Sequence, residues 1–202
     1  KGVFIKNFYC NSIQTAKGQI ATLCSIIPSF RGKIFTSYSD LNVRSLAQIL
    51  KEHGYLTMFF KACKHISFDN TGEFAKHIGF EIATAMDEEW TREIDEKYKW
   101  GWGLQDDMFF KKYFEFLDDV RSKRTSKNQI EDIESRNKYF TVMTTVSNHT
   151  RFNWMPDEQK EFYRKPKDMR EAYSNSIFLS DKYLAEFFNQ LKKRDYLKNS
   201  LV

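Results

Sequence analysis

Blocks of apolar residues alternate with polar stretches along the chain, and their spacing predicts a series of helices and strands. Apolar residues recur at helical spacing after Thr15, and a proline ends the run: Ile20, Leu23, Cys24, Ile27 and Pro28. Such a stripe faces a core because about 3.6 residues make one helical turn, and proline cannot continue a helix interior. The pattern therefore predicts a helix that begins near Thr15 and ends at Pro28.

The same reasoning predicts further elements in the order of an α/β fold. Helices are expected over about residues 43–53, 72–77, 107–120 and 169–194, strands over 55–60 and 138–147, and a short strand or extended lead-in over 2–9. Residues 29–39 and 152–168 are expected to be polar loops and 87–106 irregular. Residues 121–137 are expected to be a charged surface loop or a short exposed helix. Helices alternating with strands indicate a mostly parallel sheet with helices on both faces.

Three of these helices carry apolar residues that we assign to the buried face. They are Leu46, Ile49 and Leu50; then Phe109, Tyr113, Phe116, Leu117 and Val120; then Tyr173, Ile177, Leu184, Phe187, Phe188 and Leu191.

Composition sets bounds on the class of protein. With 202 residues, 41% of them hydrophobic, the chain can bury a large core and could form one large domain or one and a half small ones. A net charge of +5 from 32 basic and 27 acidic residues indicates a mixed surface rather than a nucleic-acid stripe. Three cysteines without CxxC spacing argue against a disulfide framework. No apolar run reaches the roughly 20 residues of a membrane span, and the start at Lys1 suggests a fragment of a longer protein.

Two interpretations of Thr15 follow from its position. Asn11, Ser12 and Thr15 can each cap a helix, because a side-chain oxygen accepts from the unpaired N–H groups of the first turn. A hydroxyl at a helix N-terminus is also well placed to attack a phosphate, since the N–H groups and the helix dipole favour an anion there.

His149 also allows two interpretations. It follows the predicted strand over 138–147 in the run Thr-Val-Ser-Asn-His, and ligands collect beyond the carboxyl ends of parallel strands. A lone histidine at such a point is commonly a structural hydrogen bonder. An imidazole there can also contact a phosphoryl oxygen or protonate a leaving group.

Ordered motifs give the chain a resemblance to a known family. They are Thr15-Ala16-Lys17-Gly18 with Ser25-Ile26-Ile27-Pro28, Ser67-Phe68-Asp69-Asn70-Thr71, Gly103-Leu104-Gln105-Asp106, and Thr145-Val146-Ser147-Asn148-His149. In this order they resemble the lipoteichoic acid synthase and phosphoglycerol transferase family of the alkaline phosphatase and sulfatase superfamily. The resemblance implies one partial catalytic domain over residues 1–202, truncated at both ends.

The resemblance also implies roles for individual residues. Thr15 would be the nucleophile and a ligand of a divalent metal, Mn²⁺ or Mg²⁺, while His149 and Asn70 would contact the substrate. The synthases have a Trp and an Arg where this chain has Asp69 and Thr71, and the loss of a fixed cation weakens an anion pocket. The Gly101–Asp106 segment is interpreted as scaffold.

The remaining metal ligands of the family would lie outside these residues, so we expect the fragment alone to be inactive and metal-free. The donor would be a phospholipid head group, such as that of phosphatidylglycerol, and the acceptor a glycan or growing polymer, with no nucleic acid involved. The whole protein would be held at a bacterial membrane by segments absent from this chain, with its catalytic domain outside the cytoplasm.

Three alternatives stay open from the sequence. A sulfate-ester hydrolase would need a Cys-x-Pro-x-Arg pattern, which neither Cys10 nor Cys24 has. A phosphate-ester hydrolase would use the same nucleophile with water as acceptor. A non-catalytic binding domain would keep the fold without the reaction, and Asp69 and Thr71 favour it slightly.

Overall fold

The structure is a computed structural model that describes residues 3–37, 41–85, 93–122 and 137–202. Its helices are α1 (Thr15–Cys24), α2 (Ile34–Ser37), α3 (Leu46–Glu52), α4 (Thr71–His77), α5 (Asp106–Ser122) and α6 (Met169–Lys193). Its strands are β1 (Leu56–Lys61), β2 (Ile82–Ala85), β3 (Lys99–Trp100), β4 (Gly103–Leu104) and β5 (Tyr139–Thr144).

A mostly parallel sheet in the order β2-β1-β5 is the centre of the fold, as predicted. The N–H of Leu56 bonds the carbonyl of Lys138, and the N–H of Ala62 bonds that of Thr144. Since both chains advance by six residues between these bonds, β1 and β5 run in the same direction. Every residue of β1 is buried, which is expected of a central strand covered on both faces.

The chain divides into two compact units, and the first comprises Lys1–Phe59, Ile66–Thr84 and Arg136–Val142. Its core is built mainly by α1, α2, α4 and β1. Phe35 and Phe74 stack there with ring centroids 3.9 Å apart. The buried members are Ala16, Ile20, Leu23, Cys24, Ile34, Phe35, Ala47, Phe59, Phe74, Ala75, Ile78 and Phe80.

Gly79 joins three elements of this unit at the end of α4. Its carbonyl accepts from the Thr57 hydroxyl at 2.8 Å, and the preceding carbonyl, that of Ile78, accepts from the hydroxyl of Ser45. Ser45 caps α3 through a capping box with Gln48. A Cβ at Gly79 would lie 2.5 Å from Gln48 Cγ and 2.9 Å from its backbone N, and φ is +99°. The contact therefore requires glycine for both space and backbone conformation.

The second unit comprises Phe60–His65, Ala85–Ser135 and Met143–Val202. Helices α5 and α6 pack together there through a cluster of aromatic rings, in which Phe110 and Phe114 lie within 4.8 and 5.2 Å of Phe187. The antiparallel hairpin β3–β4 is attached to the residues after β1, because the Leu104 N–H donates to the Ala62 carbonyl at 2.7 Å. Of the helices in the four described ranges, none is both long and apolar enough to cross a membrane.

A buried carboxylate fixes the loop that follows β5. Asp106, the first residue of α5, is 3% exposed, and its Oδ1 accepts the N–H groups of Val146 and Ser147, both at 3.0 Å. The Ser147 hydroxyl in turn accepts the Asp106 N–H at 2.8 Å. On the other side of the loop, the Ser176 hydroxyl of α6 lies 2.8 Å from Asn148 Oδ1. The start of the His149 loop is therefore held by side chains from two helices.

Several sequence predictions are wrong in detail. No strand forms over residues 3–9, so of the two alternatives predicted for 2–9 the strand is wrong. The predicted loop over 29–39 contains α2, with residues 38–40 outside the description. Helix α1 ends at Cys24 through Ser25 in the left-handed conformation, which leaves Ile27 outside the helix and exposed. The hairpin β3–β4 lies in a stretch predicted to be irregular. The predicted charged loop over 121–137 falls mostly outside the described residues.

The predicted buried face of α5 is largely confirmed. That of α6 is confirmed at Leu191 but wrong for most of its other residues, and that of α3 is wrong at Leu46 and Ile49. Leu46 and Ile49 are exposed in α3, where Ala47 is buried instead. In α6 the exposed residues include Tyr173, Ile177, Leu184 and Phe188, and the buried ones are Ala172, Asn175, Ser176, Leu179 and Leu191. Hydrophobic periodicity gives no weight to the small and polar residues that make these faces.

Replacement of Gly79 by alanine is expected to destabilise the protein more than replacement of Gly54. Both glycines have positive φ, +99° and +79°, but nothing lies within 4 Å of a Cβ at Gly54. Gly54→Ala should therefore cost only the left-handed strain of about 1–2 kcal/mol. Gly79→Ala should cost roughly 1–3 kcal/mol more because Gln48 is displaced. Urea unfolding of the two variants measures the difference, and equal midpoints would contradict the contact.

Asp106 is expected to make stability depend on pH. Burial raises the pKa of this carboxyl above its ordinary value of 3.8, although the hydrogen bonds from Val146 and Ser147 oppose the shift. The folded protein then retains the proton at pH values where the unfolded chain has lost it. The contribution of Asp106 to stability therefore falls as the pH rises from the ordinary value through the raised one.

Asp106→Asn keeps an oxygen that accepts the two N–H groups but removes this titration. The free energy of unfolding of the wild type should decrease more steeply than that of Asp106→Asn as the pH rises through this window. Asp106→Ala is the matched control, because it leaves the N–H groups unpaired and should cost roughly 2–4 kcal/mol at every pH. Parallel pH profiles for wild type and Asp106→Asn would refute the assignment.

Candidate functional site

Thr15 is an exposed hydroxyl at the first position of α1. The residue before it, Gln14, occupies the N-cap position in extended conformation, and its side chain makes no capping bond. Thr15 therefore lies inside the helix rather than at its cap, and the capping interpretation of its hydroxyl is wrong. In the described structure the N–H groups of Thr15 and Ala16 have no acceptor, whereas those of Lys17 and Gly18 bond the Gln14 carbonyl. Two unpaired N–H groups beside an exposed hydroxyl can stabilise an anion.

Lys17, in the same first turn of α1, is bonded to the segment that follows the helix. Its side chain is buried, 5% exposed, and the ammonium donates to the Phe30 carbonyl at 3.0 Å. This bond ties the first turn of α1 to the segment that follows the helix. A buried ammonium group so close to the helix start adds positive potential to that of the helix dipole.

Asn70 lies in the turn between β1 and α4, with φ of 56°. Its side-chain amide donates to the Phe35 carbonyl of α2 at 2.8 Å. Helix α2 contacts both α1 and this turn, so Thr15 and Asn70 belong to elements with a common neighbour. The observed role of the Asn70 amide is to fix the turn, while its substrate contact stays a prediction.

The carboxylate of Asp69 in that turn forms an ion pair. Lys33 Nζ lies 2.8 Å from Asp69 Oδ1. The negative charge that distinguishes this turn from that of the synthases is therefore balanced by a neighbouring cation, and it repels an anion less than the sequence indicated.

His149 belongs to the second unit and is partly exposed. Its Nδ1 lies 2.8 Å from the Thr150 carbonyl oxygen. Because a carbonyl oxygen only accepts, Nδ1 carries a proton, and Nε2 is the nitrogen left for a ligand. No partner for Nε2 is found in the parts of the chain that the structure describes. Neutral His149 can thus accept a proton at Nε2, and the imidazolium can donate there.

One tryptophan packs against His149, and a second tryptophan packs against the first. The Trp102 and His149 rings meet edge to face with centroids 4.6 Å apart, and Trp102 and Trp154 meet similarly at 6.0 Å. Trp102 lies in the segment predicted to be scaffold and was not among the predicted site residues. The signal was available in the Gly-Trp-Gly run, because glycines on both sides of an aromatic residue allow close approach of other groups.

The described residues do not by themselves make a metal site. Within them, no three His, Cys, Asp or Glu side chains cluster in a way that could hold an ion. One neutral hydroxyl at Thr15 is insufficient for Mg²⁺ or Mn²⁺, which require several oxygen ligands.

A cavity of about 440 Å³ between α5 and α6 is lined by residues such as Asp107, Phe110 and Arg194, and by none of the predicted site residues.

Comparisons with known proteins agree with the resemblance drawn from the motifs. The chain is 23% identical over its full length to a lipoteichoic acid synthase-like protein, YvgJ, of Bacillus subtilis strain 168, and spans 30% of that protein. It matches the crystal structure of the lipoteichoic acid synthase LtaP from Listeria monocytogenes with a TM-score of 0.71 and 22% identity, covering 91% of this chain and 41% of that one.

A third relative extends the fold to a wider superfamily. A protein of the alkaline phosphatase superfamily from Vibrio parahaemolyticus matches with a TM-score of 0.67 and 24% identity, covering 92% of this chain and 40% of that one. The chain thus spans less than half the length of each of these three relatives. The sulfatase family model matches residues 1–202. The chain therefore belongs to the sulfatase family, with the fold of the alkaline phosphatase superfamily.

Proposed function

We propose that this chain is part of an enzyme that transfers phosphoglycerol, or a related phospho-head-group, through a covalent intermediate on Thr15. The observation that carries the proposal is the exposed Thr15 hydroxyl at the first position of α1, beside two unpaired N–H groups and free of any capping role. Similarity to lipoteichoic acid synthases supports the substrate class.

The reaction has two balanced steps. The Thr15 oxygen attacks phosphorus and loses its proton, while the bond from phosphorus to the diacylglycerol oxygen breaks and that oxygen gains a proton. An acceptor hydroxyl then attacks phospho-Thr15, and the bond between phosphorus and Thr15 breaks as the acceptor loses its proton and Thr15 regains one. The N–H groups of Thr15 and Ala16 stabilise negative charge on the phosphoryl oxygens.

His149 would contact the phosphate-bearing substrate through Nε2. The bond from Nδ1 to the Thr150 carbonyl fixes which nitrogen is available. In its neutral form the ring can take a proton from an attacking hydroxyl, and in its charged form it can give one to a leaving oxygen. Asn70 would contact the substrate from the turn after β1.

Members of the superfamily are generally metal-dependent, and a divalent ion would supply positive charge beside a phosphate. The residues described here do not fit a divalent ion without further ligands, so no step is assigned to one. That residues 1–202 form part of one catalytic domain stays a prediction. We also propose, from the similarity to lipoteichoic acid synthases, that the whole protein lies at a bacterial membrane with this domain outside the cytoplasm.

Phosphorylation of Thr15 is the test of the proposal. The protein as its gene encodes it is incubated with phosphatidylglycerol, quenched in acid and digested with trypsin, and the peptide of residues 7–17 is fragmented by mass spectrometry. We expect a phosphoglycerol adduct on Thr15, and a turnover in Thr15→Ala that is lower by roughly 10³-fold or more, because a nucleophile cannot be replaced by its neighbours.

The matched control is Ser12→Ala, which removes a hydroxyl three residues away. The Ser12 oxygen only accepts the Gln14 N–H at 3.4 Å, so this variant should keep full turnover and the adduct. Retained turnover in Thr15→Ala would exclude Thr15 as nucleophile. Turnover with water alone as acceptor would favour the phosphate-ester hydrolase, and absence of both adduct and turnover would favour the non-catalytic domain.

A further inference from the structure

Helix α6 carries an apolar stripe that the described residues leave exposed. Five apolar side chains of this helix are between 42% and 64% exposed, and they define the stripe: Met169, Tyr173, Ile177, Leu184 and Phe188. Their spacing of four or seven residues places them on one side of the helix, because about 3.6 residues make one turn. The stripe extends over about 28 Å, since each helical residue adds about 1.5 Å. A long exposed apolar surface of this kind is typical of an interface.

Contacts on the other sides of α6 hold the stripe in a fixed position. The Ser176 hydroxyl lies 3.1 Å from the Ser147 carbonyl oxygen, and the Phe187 ring packs among the aromatic rings of α5. Directly after the helix, Arg194 Nη2 donates to Asp118 of α5 at 2.7 Å. The exposed side of α6 is therefore a preformed surface, and a partner that binds it does not have to order it first.

Basic side chains lie at both ends of the stripe. Arg164, Lys165, Lys167 and Arg170 are exposed around the start of α6, and Lys192 is exposed in its last turn. None of these five side chains forms an ion pair with any residue that the structure describes. The five cations are therefore available to a partner.

Most of the carboxylates near the stripe already have partners. Asp157, Glu161 and Glu186 each pair with a lysine within 4.0 Å. Asp168 caps α6, because its carboxylate accepts a backbone N–H of the first turn at 2.9 Å. Asp181 is exposed within the length of the stripe, but the five cations outnumber it. The surface thus combines apolar side chains with an excess of positive charge.

This charge distribution distinguishes between two occupants of the stripe. If a second copy of the chain packed its own stripe here, the basic ends would face basic ends in both the parallel and the antiparallel arrangement, and like charges across an interface disfavour association. An anionic lipid bilayer complements both ends at once. Its phosphates attract lysine and arginine, and its head-group region accepts apolar and aromatic side chains from a helix that lies in the plane of the membrane.

We propose that α6 docks along its exposed side on an anionic lipid bilayer. The apolar side chains of the stripe enter the head-group region, and the cations at its two ends contact lipid phosphates. This inference concerns how the chain meets a membrane surface, and it does not depend on the reaction at Thr15.

Co-sedimentation of the purified 202-residue protein with lipid vesicles tests the proposal. Vesicles of phosphatidylcholine alone are compared with vesicles that also contain phosphatidylserine, which supplies negative charge without being the proposed donor. We expect binding to the anionic vesicles to be tighter by about tenfold or more, because each cation near such a surface adds to the attraction. Added salt should weaken this binding, since it screens the charges.

Two double variants separate the apolar contribution from the charged one. Ile177→Ser with Leu184→Ser should weaken binding to the anionic vesicles about tenfold or more, because two apolar side chains no longer enter the bilayer. Lys165→Gln with Arg170→Gln should weaken it by a similar factor and reduce the preference over phosphatidylcholine.

Leu46→Ser is the matched control, because Leu46 is 40% exposed in α3 and outside the stripe, against 46% for Leu184. This variant should bind as the wild type does, and unfolding midpoints show that each variant is folded. Wild-type binding in the folded variant with Ile177→Ser and Leu184→Ser, equal binding to both kinds of vesicle, or binding to neither would each overturn the proposal. A dimer in sedimentation equilibrium that the same variant abolishes would also overturn it, since the stripe would then belong to a second copy.

Discussion

Parallel pairing of β1 with β5 is the constraint on which the second unit depends. Because both strands run the same way, the residues that follow them reach the same edge of the sheet. One set, Ala62 to Lys64, binds the hairpin that carries Trp102, and the other leads to His149. Antiparallel pairing would send the two sets to opposite edges, and the indole and imidazole could not meet. Gly103 makes this crowding possible, because its missing side chain leaves room for the Ala62 carbonyl and Val146.

A parallel strand that ends leaves backbone N–H groups without a partner in the sheet, and here a carboxylate satisfies two of them. Asp106 accepts from Val146 and Ser147 while it starts α5, so one side chain links the end of β5 to the next helix. Charge-assisted bonds to N–H groups are stronger than neutral ones, but burial disfavours the charged form, and the raised pKa shows that burial dominates. The loop that leads to His149 is therefore fixed by hydrogen bonds to Asp106, whose burial in the charged form is itself unfavourable.

The sequence predicted elements and buried faces correctly where a long hydrophobic periodicity was present. It did not do so where tertiary packing determined which residues are buried. Residues 107–120 predicted most of α5 and its buried face, and the strands near 55–60 and 138–147 were predicted within a few residues. The face of α6 was misassigned because Asn175 and Ser176 are buried through hydrogen bonds, a property that hydrophobicity does not carry. The two-residue strands of the hairpin are too short to show alternation. The family resemblance identified Thr15 and His149 as candidate site residues. The structure was needed to show that Thr15 is not the N-cap of α1 and that the Trp102 ring contacts the His149 ring.

The departures at positions 69 and 71 can now be weighed physically. Thr71 is 3% exposed and its hydroxyl donates to the Phe68 carbonyl, so position 71 has become part of the turn and cannot present a cation to a ligand. Asp69 is paired with Lys33, which leaves the turn close to electrically neutral. Neither change creates a strong repulsion for phosphate, so the argument they gave for a non-catalytic domain is weakened. What they remove is the fixed fork of an arginine. An anion that reaches this turn therefore meets no bidentate cation at position 71.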